Sequence, residues 1–198
     1  MDDIVIRAAR EADMPQIERI IRHYILTTVL TFHEEPQPQE SHVASYRAVQ
    51  AAGLPYLVAV RADDHDAVVG YTSAMGFRAA RSAYRFTSEL TLFCDHSYTG
   101  RGIGSRLLRA LLDVLAAPET FLTRYGGRYP DGVQPRRIRH LIAVMAVNDE
   151  GKRNGMALKE FYESFGFVLR SHLVGVGFKF NKWYVSQRLA FLYEDQGG

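Results

Sequence analysis

The positions in this chain best suited by type and spacing to do chemistry are Gly100-Arg101-Gly102-Ile103-Gly104, set directly ahead of leucines at helical spacing. Glycines at alternate positions leave backbone N–H groups uncovered, and a helix start adds the positive end of its dipole, so the segment suits a phosphate-like anion. A triphosphate loop of the G-x-x-x-x-G-K-[ST] kind needs a lysine, and none stands here. A dinucleotide loop reads G-x-G-x-x-G after the first strand, with an acidic residue about 20 positions on at the end of the next strand. Here the spacing is G-x-G-x-G, the loop lies mid-chain, and Glu119 follows a proline. Coenzyme A pyrophosphate is the ligand that survives, with a plain turn before a helix as the bland alternative. Cys94 has no histidine in a recognisable nucleophile motif and reads as core. The seven histidines show no H-E-x-x-H or other ligand spacing, so no metal is expected.

The elements that position the loop follow from periodicity. The run 84–94 alternates, with Phe86, Ser88, Leu90, Leu92 and Cys94 on one face and Arg85, Thr87, Glu89, Thr91 and Phe93 on the other. Ile103, Leu107, Leu108, Leu111, Leu112 and Leu115 make one side of the following helix, which Pro118 closes. Earlier, 4–6 alternate as a strand; Asp13 offers a helix cap, and Met14, Ile17, Ile20, Ile21, Tyr24 and Ile25 recur at helical spacing to about Thr27. Pro36 and Pro38 make 31–38 a loop that carries Glu34 and Glu35. A second helix is expected over 39–51, stopping at Gly53. Two β-rich runs, 56–60 and 68–75, flank Asp63-Asp64-His65-Asp66 as a hairpin. Segment 119–135 is rich in Gly, Pro, Arg and Tyr without either period and reads as a surface insertion. A strand at 138–147, a helix near 157–165 and strands at 167–176 and 183–192 complete a mixed α/β (α+β) sheet layered with helices.

The 198 residues and 47% hydrophobic content suit one domain, 1–198. A formal charge of +2 gives no basis for nucleic-acid binding through many phosphates. The single cysteine excludes an internal disulfide, no run approaches the roughly 20 apolar residues of a membrane span, and Met1-Asp2-Asp3 is acidic where a secretory signal is basic. A cytoplasmic chain is expected.

Beyond these readings, Ser97-Tyr98-Thr99-Gly100-Arg101-Gly102-Ile103-Gly104 resembles the R/Q-x-x-G-x-G/A acetyl-CoA signature of the GCN5-related N-acetyltransferases (GNAT), with Thr99 in place of the more usual basic residue. Four further blocks look like the phosphinothricin and methionine sulfoximine acetyltransferase branch: Thr31-Phe32-His33-Glu34-Glu35-Pro36, Val69-Gly70-Tyr71, Ala83-Tyr84-Arg85-Phe86-Thr87-Ser88-Glu89, and Gly175 through Trp183. Together they span nearly the whole chain in order; only 119–135 is foreign to the pattern.

The resemblance implies a GNAT fold, a central mixed, mostly antiparallel sheet splayed at the cofactor strand and flanked by helices, acting as a homodimer. Acetyl-CoA would lie in the split, with its pantetheine along Leu92, Phe93 and Cys94 and its pyrophosphate on Gly100, Arg101, Gly102, Ile103, Gly104 and Ser105; Asn154 resembles the family asparagine near the pantetheine, one residue out of register. Glu34, Arg78 and Thr91 match substrate-contacting positions, an arginine suiting a carboxylate, with Arg81 or Arg85 able to serve in place of Arg78. Acetyl transfer needs a neutral amine, so a carboxylate must take a proton, directly or through water. Glu89, within an apolar run that leads into the cofactor strand, is the candidate base, against the plainer reading of an exposed strand glutamate. Tyr162, four residues before Gly166, stands where the superfamily often carries a tyrosine acid for the leaving thiolate, and is equally well read as a core aromatic. The expected acceptor is a small amino acid or analogue; the alternatives are peptide, lysine or polyamine amines, or a non-catalytic acyl-CoA-binding module.

Overall fold

The computed structural model describes residues 4–148 and 151–193; the acidic start Met1-Asp2-Asp3 lies outside them. Seven strands form one sheet in the order β1-β2-β3-β4-β5-β7-β6. They are β1 Ile4–Ala8, β2 Tyr56–Arg61, β3 Val68–Gly76, β4 Thr87–Cys94, β5 His140–Val147, β6 Val168–Lys179 and β7 Lys182–Leu192. The helices are α1 Met14–Thr27, α2 Gln39–Ala51, α3 Ile103–Ala116, α4 Thr120–Tyr125 and α5 Ala157–Glu163. Each strand pair is antiparallel except β4 with β5. A parallel pair needs a crossover, and α3 with the segment after it supplies one.

The apolar stripe expected for α1 is buried from Met14 to Ile25, and that of α3 from Ile103 to Leu115 except for Leu112, which is half-buried. One core joins α1, β2 and β3 to Leu108, Leu111 and Leu115 of α3 and to Leu141, Ala143 and Leu189 of the far strands. A second lies between α3, β1 and β2. The helix α2 runs over the expected 39–51, and Gly53 takes a left-handed φ of 67°. A side chain there would meet the Gln134 carbonyl oxygen at 2.4 Å, so close approach adds to the backbone reason for glycine.

Three local expectations change. The strand expected from Tyr84 begins at Thr87, because Ser82–Tyr84 close into a 3-10 turn through Tyr84 N–H to Arg81 O and Arg85 N–H to Ser82 O. Asp13 does not cap α1 with its side chain. Its buried carboxylate instead accepts from the Arg10 N–H at 2.7 Å and from both ends of the Arg7 guanidinium at 2.7 and 2.8 Å, tying β1 to the start of α1. The segment 119–135, expected to lack periodicity, contains α4, and its Phe121 is only 1% exposed in the second core. A Cβ at Gly127 would fall 2.4 Å from the Phe121 ring, so this glycine lets the chain fold back over the phenyl group. This segment packs on β1 and α3, Arg124 donates to Asp113 of α3 at 3.0 Å, and just beyond it the Arg136 N–H bonds Gly53 O. Phe121→Ala is therefore expected to lower unfolding free energy by about 3 kcal/mol in urea denaturation, the usual size for emptying a buried phenyl site. A loss below about 0.5 kcal/mol would mean that 119–135 is not anchored by this ring.

Candidate active site

Parallel pairing joins Thr87, Ser88, Glu89 and Leu90 to His140, Leu141, Ile142 and Ala143, and then stops. Beyond this point β4 stays on β3 as far as Cys94, while β5 stays on β7 as far as Val147. The two middle strands therefore part, leaving residues 91–94 with a strand on one side only. The Asp95 N–H bonds Val69 of β3, and the Phe86 carbonyl accepts from Arg139 and His140 on the β5 side. Alternation between these points turns the peptide groups of Thr91 and Phe93 toward β3, and those of Leu92 and Cys94 toward the split. The Cys94 carbonyl is taken by the Tyr24 hydroxyl of α1 at 2.7 Å. Leu92 N–H and C=O and the Cys94 N–H form the open strand edge, while Phe93 stands behind it with its ring 5.0 Å from Tyr24 and 6.0 Å from Tyr71.

The glycine loop follows directly. Asp95 accepts from Ser97 N–H at 2.8 Å to shape the turn, and the Arg101 guanidinium sits over the Tyr98 ring at 4.8 Å. Gly100 and Gly102 have φ of 76° and 75°, conformations that a side chain resists, and nothing lies within 4 Å of where their Cβ atoms would stand. Gly102 caps α3 without a side chain, and the first helical bond runs from Arg106 N–H to Gly102 O. The N–H groups of Ile103, Gly104 and Ser105 therefore point out of the helix start without a helical partner. A Cβ at Gly104 would stand 3.8 Å from Cys94 Sγ and 3.9 Å from the Phe161 ring, which places the helix start against the end of β4 and against α5. An extended polar chain ending in a pyrophosphate fits both features: strand-edge groups for amides, then a cradle of N–H donors open on one side.

Glu89 is half-buried on β4, one residue before pairing ends. Burial pushes its carboxyl above the ordinary range, and the Arg188 charge partly opposes this. Thr91 shares its face and is half-buried, with its carbonyl accepting from Thr72 Oγ1 at 2.8 Å. On the opposite face Ser88 and Leu90 are buried, as alternation requires. Cys94 is half-buried, and burial, then the neighbouring Asp95, raise its thiol to about 11. It stays protonated near neutrality, which agrees with a packing role rather than a nucleophile.

Tyr162 of α5 is buried and packs against Phe161 and Phe167. Burial raises its phenol well above its usual value and Cys94 adds to the shift, so it remains a proton donor near the end of β4. Arg78 is exposed on the β3–β4 connection at φ 45°, with its guanidinium 5.5 Å from the Phe77 ring. Asn154 is exposed at φ 54° in the turn before α5, whereas Asn148, at the end of β5, is half-buried. Glu34 is exposed in 31–38, close enough to Lys179 for its charge to act on that amine.

Three residues that sequence reading missed organise this surface. Lys179 is 1% exposed; its Nζ donates to Thr31 O at 2.9 Å, and burial lowers its amine below the usual lysine range. Gly177 receives the Phe32 ring, which would stand 2.3 Å from a Cβ there. Together they hold 31–38 against the β6–β7 hairpin. Arg188 of β7 is the third. Its Nε is sealed from water with no hydrogen-bond partner, a state that costs about 1–3 kcal/mol. Period two in the strand 183–192 was readable, but which strands flank it was not.

This geometry agrees with the proteins the chain resembles. A family model described as an acetyltransferase (GNAT) domain matches residues 55–169. The phosphinothricin N-acetyltransferase of Alcaligenes faecalis is 35% identical over 178 residues, covering 90% of this chain and 77% of that protein. The L-amino acid N-acyltransferase of Escherichia coli K12 is 27% identical over 178 residues, covering 90% and 87%. A phosphinothricin acetyltransferase of Sinorhizobium meliloti, solved in complex with acetyl-CoA, matches with a TM-score of 0.76 at 26% identity, over 98% of this chain and 90% of that one. With a split parallel pair, a glycine cradle at its mouth and these relatives, the chain belongs to the GCN5-related N-acetyltransferase family, in its phosphinothricin and methionine sulfoximine acetyltransferase-like branch.

Proposed function

We propose that this chain transfers the acetyl group of acetyl-CoA to the α-amino group of a small amino acid or analogue of the phosphinothricin and methionine sulfoximine kind. The observation that carries this reading is Glu89: a desolvated carboxylate on the strand whose unpaired edge begins two residues later. Acetyl-CoA supplies an acyl group already activated as a thioester. The Leu92 and Cys94 peptide groups orient its amide-bearing arm, the N–H groups at the start of α3 hold its pyrophosphate, and no metal takes part. Glu89 accepts a proton from the ammonium of the acceptor, directly or through water, and leaves a neutral nitrogen able to attack the carbonyl carbon. The Leu92 N–H, the open-edge donor nearest Glu89, is available to the developing oxyanion, which leaves the Leu92 C=O and the Cys94 N–H to the arm. As the carbon–sulfur bond breaks, the Tyr162 phenol donates its proton to the departing thiolate. That transfer is uphill for a phenol of raised pKa, so it depends on position rather than driving force.

The acceptor lies on the face of Glu89 and Thr91, with Glu34 brought over it by 31–38 and Arg78 at its rim. The whole chain, 1–198, acts as one catalytic unit in the cytoplasm. A homodimer is supported by the apolar outer surface of the β6–β7 hairpin, where Val174 is 78% and Trp183 63% exposed.

Glu89→Gln is expected to cut kcat by about 100-fold or more, the usual weight of a general base, with the Kd for CoA within about 2-fold of wild type. Free-thiol release and calorimetry measure the two; wild-type turnover in this variant sinks the assignment. Because burial raises the Glu89 pKa, the acidic limb of kcat/KM should lie above the ordinary glutamate range, with activity lost as pH falls through it. Tyr162→Phe should lower kcat by about 10-fold or more with little change in acceptor KM; unchanged turnover removes this phenol from the chemistry.

A further inference from the structure

We propose that Arg188, with Ser171 beside it, is the anion seat of the acceptor pocket and takes the carboxylate of an amino-acid acceptor whose amine faces Glu89. This rests on the N-acetyltransferase reading above and adds the residues that recognise the acceptor's carboxylate. Register places the residues. Glu89 pairs with Ile142 and Ile142 with Ala190, while Val144 pairs with Arg188 and Arg188 with Ser171. Paired residues share a face and alternate residues return to it, so Glu89, Thr91, Ile142, Val144, Arg188 and Ser171 all occupy one side of the sheet. Val144 is 38% exposed, while Leu90, Ala143 and Leu189 on the opposite face are core, so over β4, β5 and β7 this side is the more open one.

The chemistry of the seat is legible in what is unsatisfied. Arg188 Nε and Ser171 Oγ, on adjacent strands in the same row, are both shielded from water and both without a hydrogen-bond partner. Native interiors seldom leave two neighbouring polar groups in this state, and an acceptor that bonds both removes the cost. A guanidinium donates and a hydroxyl can donate, so the missing partner is an acceptor, and the positive charge selects an anion. Glu89 attracts Arg188 without a hydrogen bond between them, so it does not fill that place. Two strand spacings and one two-residue step put the Glu89 and Arg188 backbones about 12 Å apart. Both side chains rise from the same face into that span, which suits one small zwitterion with its ammonium toward Glu89 and its carboxylate toward Arg188. Arg78, Arg81 and Arg85 are exposed on the β3–β4 connection.

The test compares L-methionine sulfone with its carboxamide as acceptors, following thiol release with acetyl-CoA for wild type, Arg188→Gln and Arg188→Lys. Wild type should favour the acid by about 10-fold or more in kcat/KM. Arg188→Gln should lose about 30-fold with the acid, mainly through KM, and stay within about 3-fold with the amide, in line with one charged hydrogen-bonding pair. Lysine should restore part of the loss, since it keeps the charge without the planar fork, and it carries the comparison if the glutamine variant does not fold. Equal losses with both acceptors or no loss with either would overturn the seat. Wild-type turnover of acid and amide at equal kcat/KM overturns the seat alone. Turnover of neither overturns the amino-acid reading and the seat with it.

Discussion

The parallel pairing of β4 with β5 ends at Leu90 and Ala143, and every functional feature of the molecule is arranged around that break. Both strands are fully engaged on their outer sides, β4 by β3 and β5 by β7, so neither can bend back to close the gap. Tyr24 holds the last β4 carbonyl from α1, and the Phe93 ring packs between Tyr24 and Tyr71 behind the strand. The open edge is thus a rigid, half-used set of hydrogen-bonding groups rather than a frayed strand end. A strand edge of this kind takes up another extended chain. Here the glycine cradle at its mouth selects one that carries a phosphate.

The same break gives the sheet two unlike faces. Toward α3 and α5, Leu90, Ala143 and Leu189 are sealed in the core. On the other side, Glu89 and Arg188 are charged groups only partly in contact with water, and the Arg188 charge acts on Glu89. A carboxylate in that setting holds its proton more tightly than in water, which is what a base for an ammonium requires. Lys179 and Phe32 hold 31–38 against the β6–β7 hairpin, so the placement of that segment depends on the far hairpin and not on β4 or β5.

Much of this was legible from sequence because it is local. The bounds of α2, the buried stripe of α3 and the alternation around Glu89 depend on residues a few positions apart. The family blocks added the split itself, which periodicity does not encode. What stayed hidden depends on distant partners. The Tyr24 bond to Cys94 crosses 70 positions and the Lys179 bond to Thr31 crosses 148. Arg188 could be read only as one position in an alternating strand until the order β4-β5-β7 put it beside Glu89. Tyr84 was misread as strand because β-propensity does not reveal the 3-10 turn that consumes Ser82–Tyr84. In 119–135 the Gly and Pro content concealed a helix only six residues long.

The central claim, that the unpaired β4 edge and the start of α3 together receive coenzyme A, is tested most directly by amide hydrogen exchange with and without CoA. Protection should rise on CoA addition at the Leu92 and Cys94 amides and at Ile103, Gly104 and Ser105, while Phe93, already turned to β3, changes little. Binding of CoA that leaves the Leu92 and Cys94 amides exchanging as before would contradict the account.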